Sequence, residues 1–171
     1  MNLKEIIDLS YNTIDEIDYD EQIEVIVKGA INEAYVELAK IDTRIGTAYV
    51  PVINRVLTLP EGCLKIIETT PSLDSSDKVH GNSIITDKTG VIEMIYALTP
   101  EKLKNDDDIP EINEFLHEAL SLYACYKYYM HRKKVEMANG FYSRYMQKIN
   151  DYKEVSADML SCVNDCVVIE Y

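Results

Sequence analysis

The longest uninterrupted pattern in the chain covers residues 110–152, and it leaves few folds open. Leu116, Ala119, Leu120, Tyr123, Tyr126 and Met130 recur at steps of three and four. After a short basic turn, Val135, Ala138, Phe141, Tyr142, Tyr145, Ile149 and Tyr152 do the same. Such spacing places one apolar stripe on each of two helices. Two stripes joined by a short connection must face each other, so the pattern predicts an antiparallel αα-hairpin over 112–152. Nothing on it has the chemistry of a catalyst; it reads as a surface for building and docking.

The preceding segments supply more helix and then a change of period. Asn2 can cap a first helix over 2–17, with Leu3, Ile6, Ile7, Ile14 and Ile17 near one side. Ile23, Val27, Ile31, Ala34, Leu38 and Ile41 keep a helical period over 21–44, with Lys40, Arg44 and then Gly46 as stop signals. Alternation begins at Thr47 and marks a β-rich insert over 47–98. It holds a run from Val50 to Leu59 broken by Pro51, a strand over 64–69, a third over 82–86 and a fourth over 91–98. The turn Asp87-Lys88-Thr89-Gly90 introduces the fourth, and the polar stretch 70–81 reads as an exposed loop. The expected fold is therefore mainly α, a helical bundle with a long αα-hairpin. A small antiparallel β-sheet is inserted, and an extended C-terminal arm follows. Residues 1–154 would form a single domain and 155–171 the arm.

That arm loses helical period yet ends in an apolar run. Val163, Cys166, Val167, Val168, Ile169 and Tyr171 are its candidate interaction residues, either adding a strand to the protein's own sheet or gripping a neighbouring subunit. The run is too apolar for an idle solvated tail, and the second reading is favoured because assembled subunits gain cohesion when each grips another.

Charge narrows the partners. With 30 Asp and Glu against 17 Lys and Arg, the net charge of −13 disfavours a general nucleic-acid or anionic-membrane binder. The charges are uneven: residues 1–27 hold eight acids and one Lys, whereas 127–148 hold six Lys or Arg and one Glu. Opposite ends of stacked or ringed subunits could therefore pair. Thirteen Tyr with no Trp carry nearly all the aromatic mass, which suits half-exposed and intersubunit surfaces.

Searches for chemistry return little. No phosphate-cradling Gly loop, nucleophile elbow or H-E-x-x-H occurs. His117 beside Glu114 and Glu118 has the makings of an acid–base pair, but a His bonded to a neighbour at a helix start is the commoner arrangement. Asp106, Asp107 and Asp108 either cap the helix that follows or hold a divalent cation. Capping is favoured, since adjacent side chains point apart and no distal Glu completes a calcium loop. Cys63, Cys125, Cys162 and Cys166 lack a second ligand pair and follow no leader-like or membrane-length segment. They are expected to be free thiols in a reducing cytoplasm. No catalytic, metal or cofactor residue is assigned.

Taken in order, several short motifs carry a resemblance. They are the acidic start and long helix, Leu57-Thr58-Leu59-Pro60, Leu64-x-x-Ile67, Gly90-Val91-Ile92-Glu93-Met94-Ile95-Tyr96, and Asp106-Asp107-Asp108-Ile109-Pro110. His117-Glu118-Ala119-Leu120, Ala124-x-Tyr126-x-Tyr128-Tyr129 and the Tyr-rich helix to Tyr152 complete the set. Over residues 16–152 the chain resembles the head-to-tail adaptor (connector) proteins of tailed bacteriophages, with Asn113 standing where a helix-opening proline is expected. The resemblance implies a ring, twelvefold to suit the portal, that extends the DNA channel, seals the head and receives the tail. Its partners would be the portal protein, further copies of itself and downstream tail or neck proteins. DNA would pass without specific binding, no membrane or cofactor would be involved, and the protein would reside in the virion neck after synthesis in the host cytoplasm. Two other classes fit the charge: an acidic DNA-mimic inhibitor and a cytoplasmic helical scaffold protein.

Overall fold

A computed structural model of the chain describes residues 1–14, 21–42 and 44–165, the side chains of 21 and 158–165 excepted. Two compact units share the sequence, one made of Met1–Tyr35 with Lys102–Tyr171 and the other of Val36–Glu101.

The first unit is helical. Its elements are α1 (Leu3–Thr13), most of α2 (Glu21–Ala39), a 3₁₀ turn at Glu114–Leu116, α3 (His117–His131) and α4 (Val135–Asp165). Asn2 and Glu5 form a reciprocal capping box at the start of α1, each side chain accepting from the other's backbone N–H at 2.9 Å. The acidic run 106–108 caps as well, but at a different helix from the one expected. The Asp108 and Asp106 carbonyls accept from Leu3 N–H (2.8 Å) and Lys4 N–H (3.0 Å), satisfying first-turn donors of α1. The Asp108 carboxylate meanwhile accepts from the backbones of Asn105 and Lys104, which lower its pKa from the ordinary value. Asn113 caps the 3₁₀ turn through Phe115 N–H.

Helix α3 lies at the centre, packed against both α1 and α4. Ser10 donates to Ser121 at 3.1 Å, and Cys125 lies 3.7 Å from the Ser10 carbonyl, so small side chains let α1 and α3 approach closely. α4 begins as foreseen but does not stop near Tyr152. It runs thirteen residues further, to Asp165. Residues 155–165 are therefore helix, not an extended arm.

The second unit is β-rich and corrects the sequence reading most. Six strands are present: β1 (Ile45–Pro51), β2 (Val56–Thr58), β3 (Cys63–Thr70), β4 (Lys78–His80), β5 (Ser83–Ile85) and β6 (Val91–Leu98). They form two antiparallel three-stranded sheets, ordered β1-β6-β3 and β2-β5-β4. With four α-helices and two three-stranded sheets among the described residues, this is a mixed α/β protein instead of a mainly helical bundle with one small sheet.

Three local causes account for the difference. The run from Val50 to Leu59 hides a two-residue hairpin turn, with Asn54 (φ +52°) and Arg55 (φ +65°) both left-handed and Ile53 and Val56 exchanging 2.9 Å bonds. The supposed loop 70–81 contains β4, whose three residues are all exposed and so carry no apolar alternation. Gly46 does not stop α2, which ends at Ala39; it sits inside β1 opposite Tyr96. A Cβ there would come within 2.9 Å of the Tyr96 ring, so the missing side chain is what lets the ring lie across the strand. Leu57, Ile84, Ile92, Met94 and Tyr96 form the core of this unit.

Candidate interaction surface

The hairpin of α3 and α4 is the best-defined surface in the first unit. Tyr126 meets Tyr142 at 5.1 Å between ring centroids, Tyr123 meets Tyr145 at 5.1 Å, and Phe115 meets Tyr152 at 6.3 Å. Partners move apart in sequence on both sides of the turn, as an antiparallel pair requires. Each tilted pair adds about 0.5–1.5 kcal/mol beyond its buried area. The turn itself bends through Lys133 at φ +58°, a left-handed helix-ending position.

The predicted faces divide unequally. Ala138, Tyr145 and Ile149 of α4 are buried, and α3 packs on two sides, through Tyr123 and Tyr126 toward α4 and through Ser121 and Cys125 toward α1. Val135, Tyr142 and Met146, at steps of seven and four, form a second, partly open stripe on α4; they are 53%, 42% and 38% exposed, with one side of Tyr142 packed on Tyr126. Three large apolar side chains in line on one helix differ from the scattered apolar residues of an ordinary surface.

The cations of 127–148 are mostly engaged within the unit. Lys127 pairs with Glu33 at 2.8 Å and Lys148 with Glu118 at 2.6 Å, joining α3 to α2 and α4 to α3. Arg132 lies over Tyr128, Lys134 over Tyr129 and Arg144 over Phe141. Glu33 also accepts from the Tyr123 hydroxyl at 2.7 Å. Lys127 holds the Glu33 carboxyl below its usual range, and burial, with Glu33 second, pushes Tyr123 up to about 12. These cations are fixed in ion pairs and over rings, a poor basis for gripping phosphates.

His117 is not at the surface. It is buried, with Nε2–H donating to the Ile112 carbonyl (3.1 Å) and Nδ1 accepting from the Met1 ammonium (2.9 Å). Burial first, and the ammonium charge second, depress its pKa, so the imidazole stays neutral. Both ring nitrogens are occupied, which leaves neither for acid–base work.

Among the described residues no three potential metal ligands converge, and no helix is long and apolar enough to cross a membrane. Cys63 and Cys125 are free thiols, and burial pushes Cys125 up to about 12. Of the arm residues, Val163 falls on the α4 backbone, while Cys166, Val167, Val168, Ile169 and Tyr171 lie outside the described residues, as do Asp15–Asp20. No protein-family model matches the chain, and a search of curated proteins returns no match.

Proposed function

We propose that the protein is a head-to-tail adaptor of a tailed bacteriophage, assembling side by side into a ring on the portal in the virion neck. The observation that carries this reading is the partly open stripe Val135–Tyr142–Met146 on a helix braced by its own aromatic ladder. A rigid apolar face of this kind suits burial against a second copy. The order of motifs over residues 16–152 supports the adaptor class, though the second unit holds more strand than that resemblance implies. An acidic channel wall would repel phosphate and let DNA slide past. The DNA-mimic alternative is weaker, because a mimic needs free, regularly spaced carboxylates, whereas Glu33, Glu118 and Asp108 are held in internal pairs.

Electron microscopy of the protein mixed with its cognate portal tests the proposal. A ring seated on the portal is expected, and it should be lost when Tyr142 and Met146 are both changed to Asp. Duplex DNA should not bind the isolated subunit in salt near ~0.15 M, where the Debye length is about 8 Å. A protein that stays apart from the portal, or that retards DNA in a gel, overturns the reading.

A further inference from the structure

The two sheets of the second unit each end in a strand with one open side. β3 pairs only with β6, and β4 only with β5, among the described residues. A groove of about 440 Å³ lies beside both ends, lined by Ile66, Ile67, Glu68 and Thr69 of β3, the segment from Ser72 to Asp77, Val79 of β4 and Ile84 of β5. Two of its apolar side chains are open, Ile67 at 53% and Val79 at 70% exposed, while Ile84 is buried. The register of β3 against β6 slips between Ile66 and Glu68, a bulge that lets two adjacent isoleucines line one opening.

The groove is preformed. Thr69 Oγ1 accepts from Leu73 N–H at 3.0 Å, Asp77 accepts from Asp74 N–H at 2.7 Å, and Asp74 accepts from Ser76 and Lys88. These bonds fix the connecting segment against the end of β3, so an occupant would meet a wall already in place. The rim is acidic: Glu68, Asp74 and Asp77 line the groove, with Asp74 paired to Lys88 at 3.0 Å.

We propose that this groove receives an extended strand of a partner protein, aliphatic at alternate positions and flanked by lysine or arginine. Open backbone groups on β3 would hold the main chain, Ile67 and Val79 would meet the apolar side chains, and Glu68 and Asp77 would meet the cations. Charge decides the occupant. A nucleic acid is repelled by the rim, and the protein's own residues 166–171 carry Glu170 and no cation. This surface is separate from the α4 stripe and does not depend on the ring.

The test uses the full-length protein, labelled for amide NMR, and a peptide of alternating Val and Thr with Lys at both ends. Shifts and slowed amide exchange should appear in β3, 71–77 and β4, saturating below about 1 mM peptide. A Glu-ended version should bind roughly tenfold more weakly. Glu68→Lys, at an exposed position, should reverse that order without changing the melting temperature. No shifts, equal binding of the two peptides, or tighter binding of a peptide spanning 161–171 would each overturn the proposal, the last by making the protein's own end the occupant.

Discussion

Asn32 holds Leu103 by both of its backbone groups. Its Oδ1 accepts from Leu103 N–H at 2.8 Å, and its Nδ2 donates to the Leu103 carbonyl at 3.0 Å and to Lys28 within its own helix. One side chain thus does for the linker what a neighbouring strand does for a sheet. Tyr35, one turn further along, accepts from Glu111 N–H at 2.7 Å and secures the other end of the same segment. Leu103 is buried, so its freed amide and carbonyl would lack water as a substitute.

Asn32→Ala should therefore cost about 1–3 kcal/mol, the penalty for leaving buried backbone groups unpaired. Urea denaturation measures it, with the midpoint shifted and the slope unchanged. A loss within error would mean that the linker is held by Tyr35 and the Asp108 turn without it.

Tyr145 and Tyr142 are three residues apart on α4 and should differ in what their loss costs. Tyr145 is 5% exposed and packs on Tyr123, so Tyr145→Ala should destabilise the fold by about 3–5 kcal/mol, as for other large buried aromatics. Tyr142→Ala gives up contacts with Tyr126 and Tyr145, so it should cost less, about 1–3 kcal/mol, and show its larger effect in ring assembly. Thermal melts and particle imaging of the two variants side by side would separate core from contact. If both lose stability equally, the α4 stripe belongs to the fold and not to an interface.

His117 should make stability fall on mild acidification. Its folded pKa is depressed, so the unfolded chain binds a proton near the ordinary 6.5 while the folded protein does not. Stability is thus full above about pH 6.5 and declines below it, by at most about 1.4 kcal/mol per pH unit, until the folded imidazole also protonates. The carboxylates that are held low, Glu33 and Asp108 among them, lose their contribution only at lower pH, so the two windows separate. Denaturation midpoints between pH 7.5 and 5.5 check this, and His117→Gln should flatten the slope over that range. An unchanged slope would show that the imidazole titrates normally in the fold.

What could be read ahead of the structure followed from periodicity backed by burial. β6 matches the predicted 91–98 because Ile92, Met94 and Tyr96 alternate inward. Half of the hairpin face was legible for the same reason. The other side of α3 was not, since Ser121, Cys125 and Tyr128 do not look apolar enough to mark a second buried face. The β1–β2 turn escaped because Asn54-Arg55 stands where Asn-Gly would announce it. β4 offered no pattern at all, being exposed on every residue. His117 owes its burial to Met1 and Ile112, one of them more than a hundred residues away. The extension of α4 past Tyr152 left no stripe because Lys153, Glu154 and Val155 are all exposed. A helix already nucleated by a folded hairpin continues at little cost, without needing a packed face.

That extension has a mechanical consequence. Thirteen residues past Tyr152 amount to about 20 Å of rod at 1.5 Å per residue. The hairpin acts as its socket, through Ile149 and the Tyr152–Phe115 contact. A rod sets two coordinates at once: how far its tip stands from the socket, and which compass direction the tip presents. Each added or removed residue changes reach by only about 1.5 Å but turns the tip by about 100°, whereas seven residues change reach by about 10 Å and nearly restore direction. For α4, length in sevens is a ruler, and length in ones is a dial.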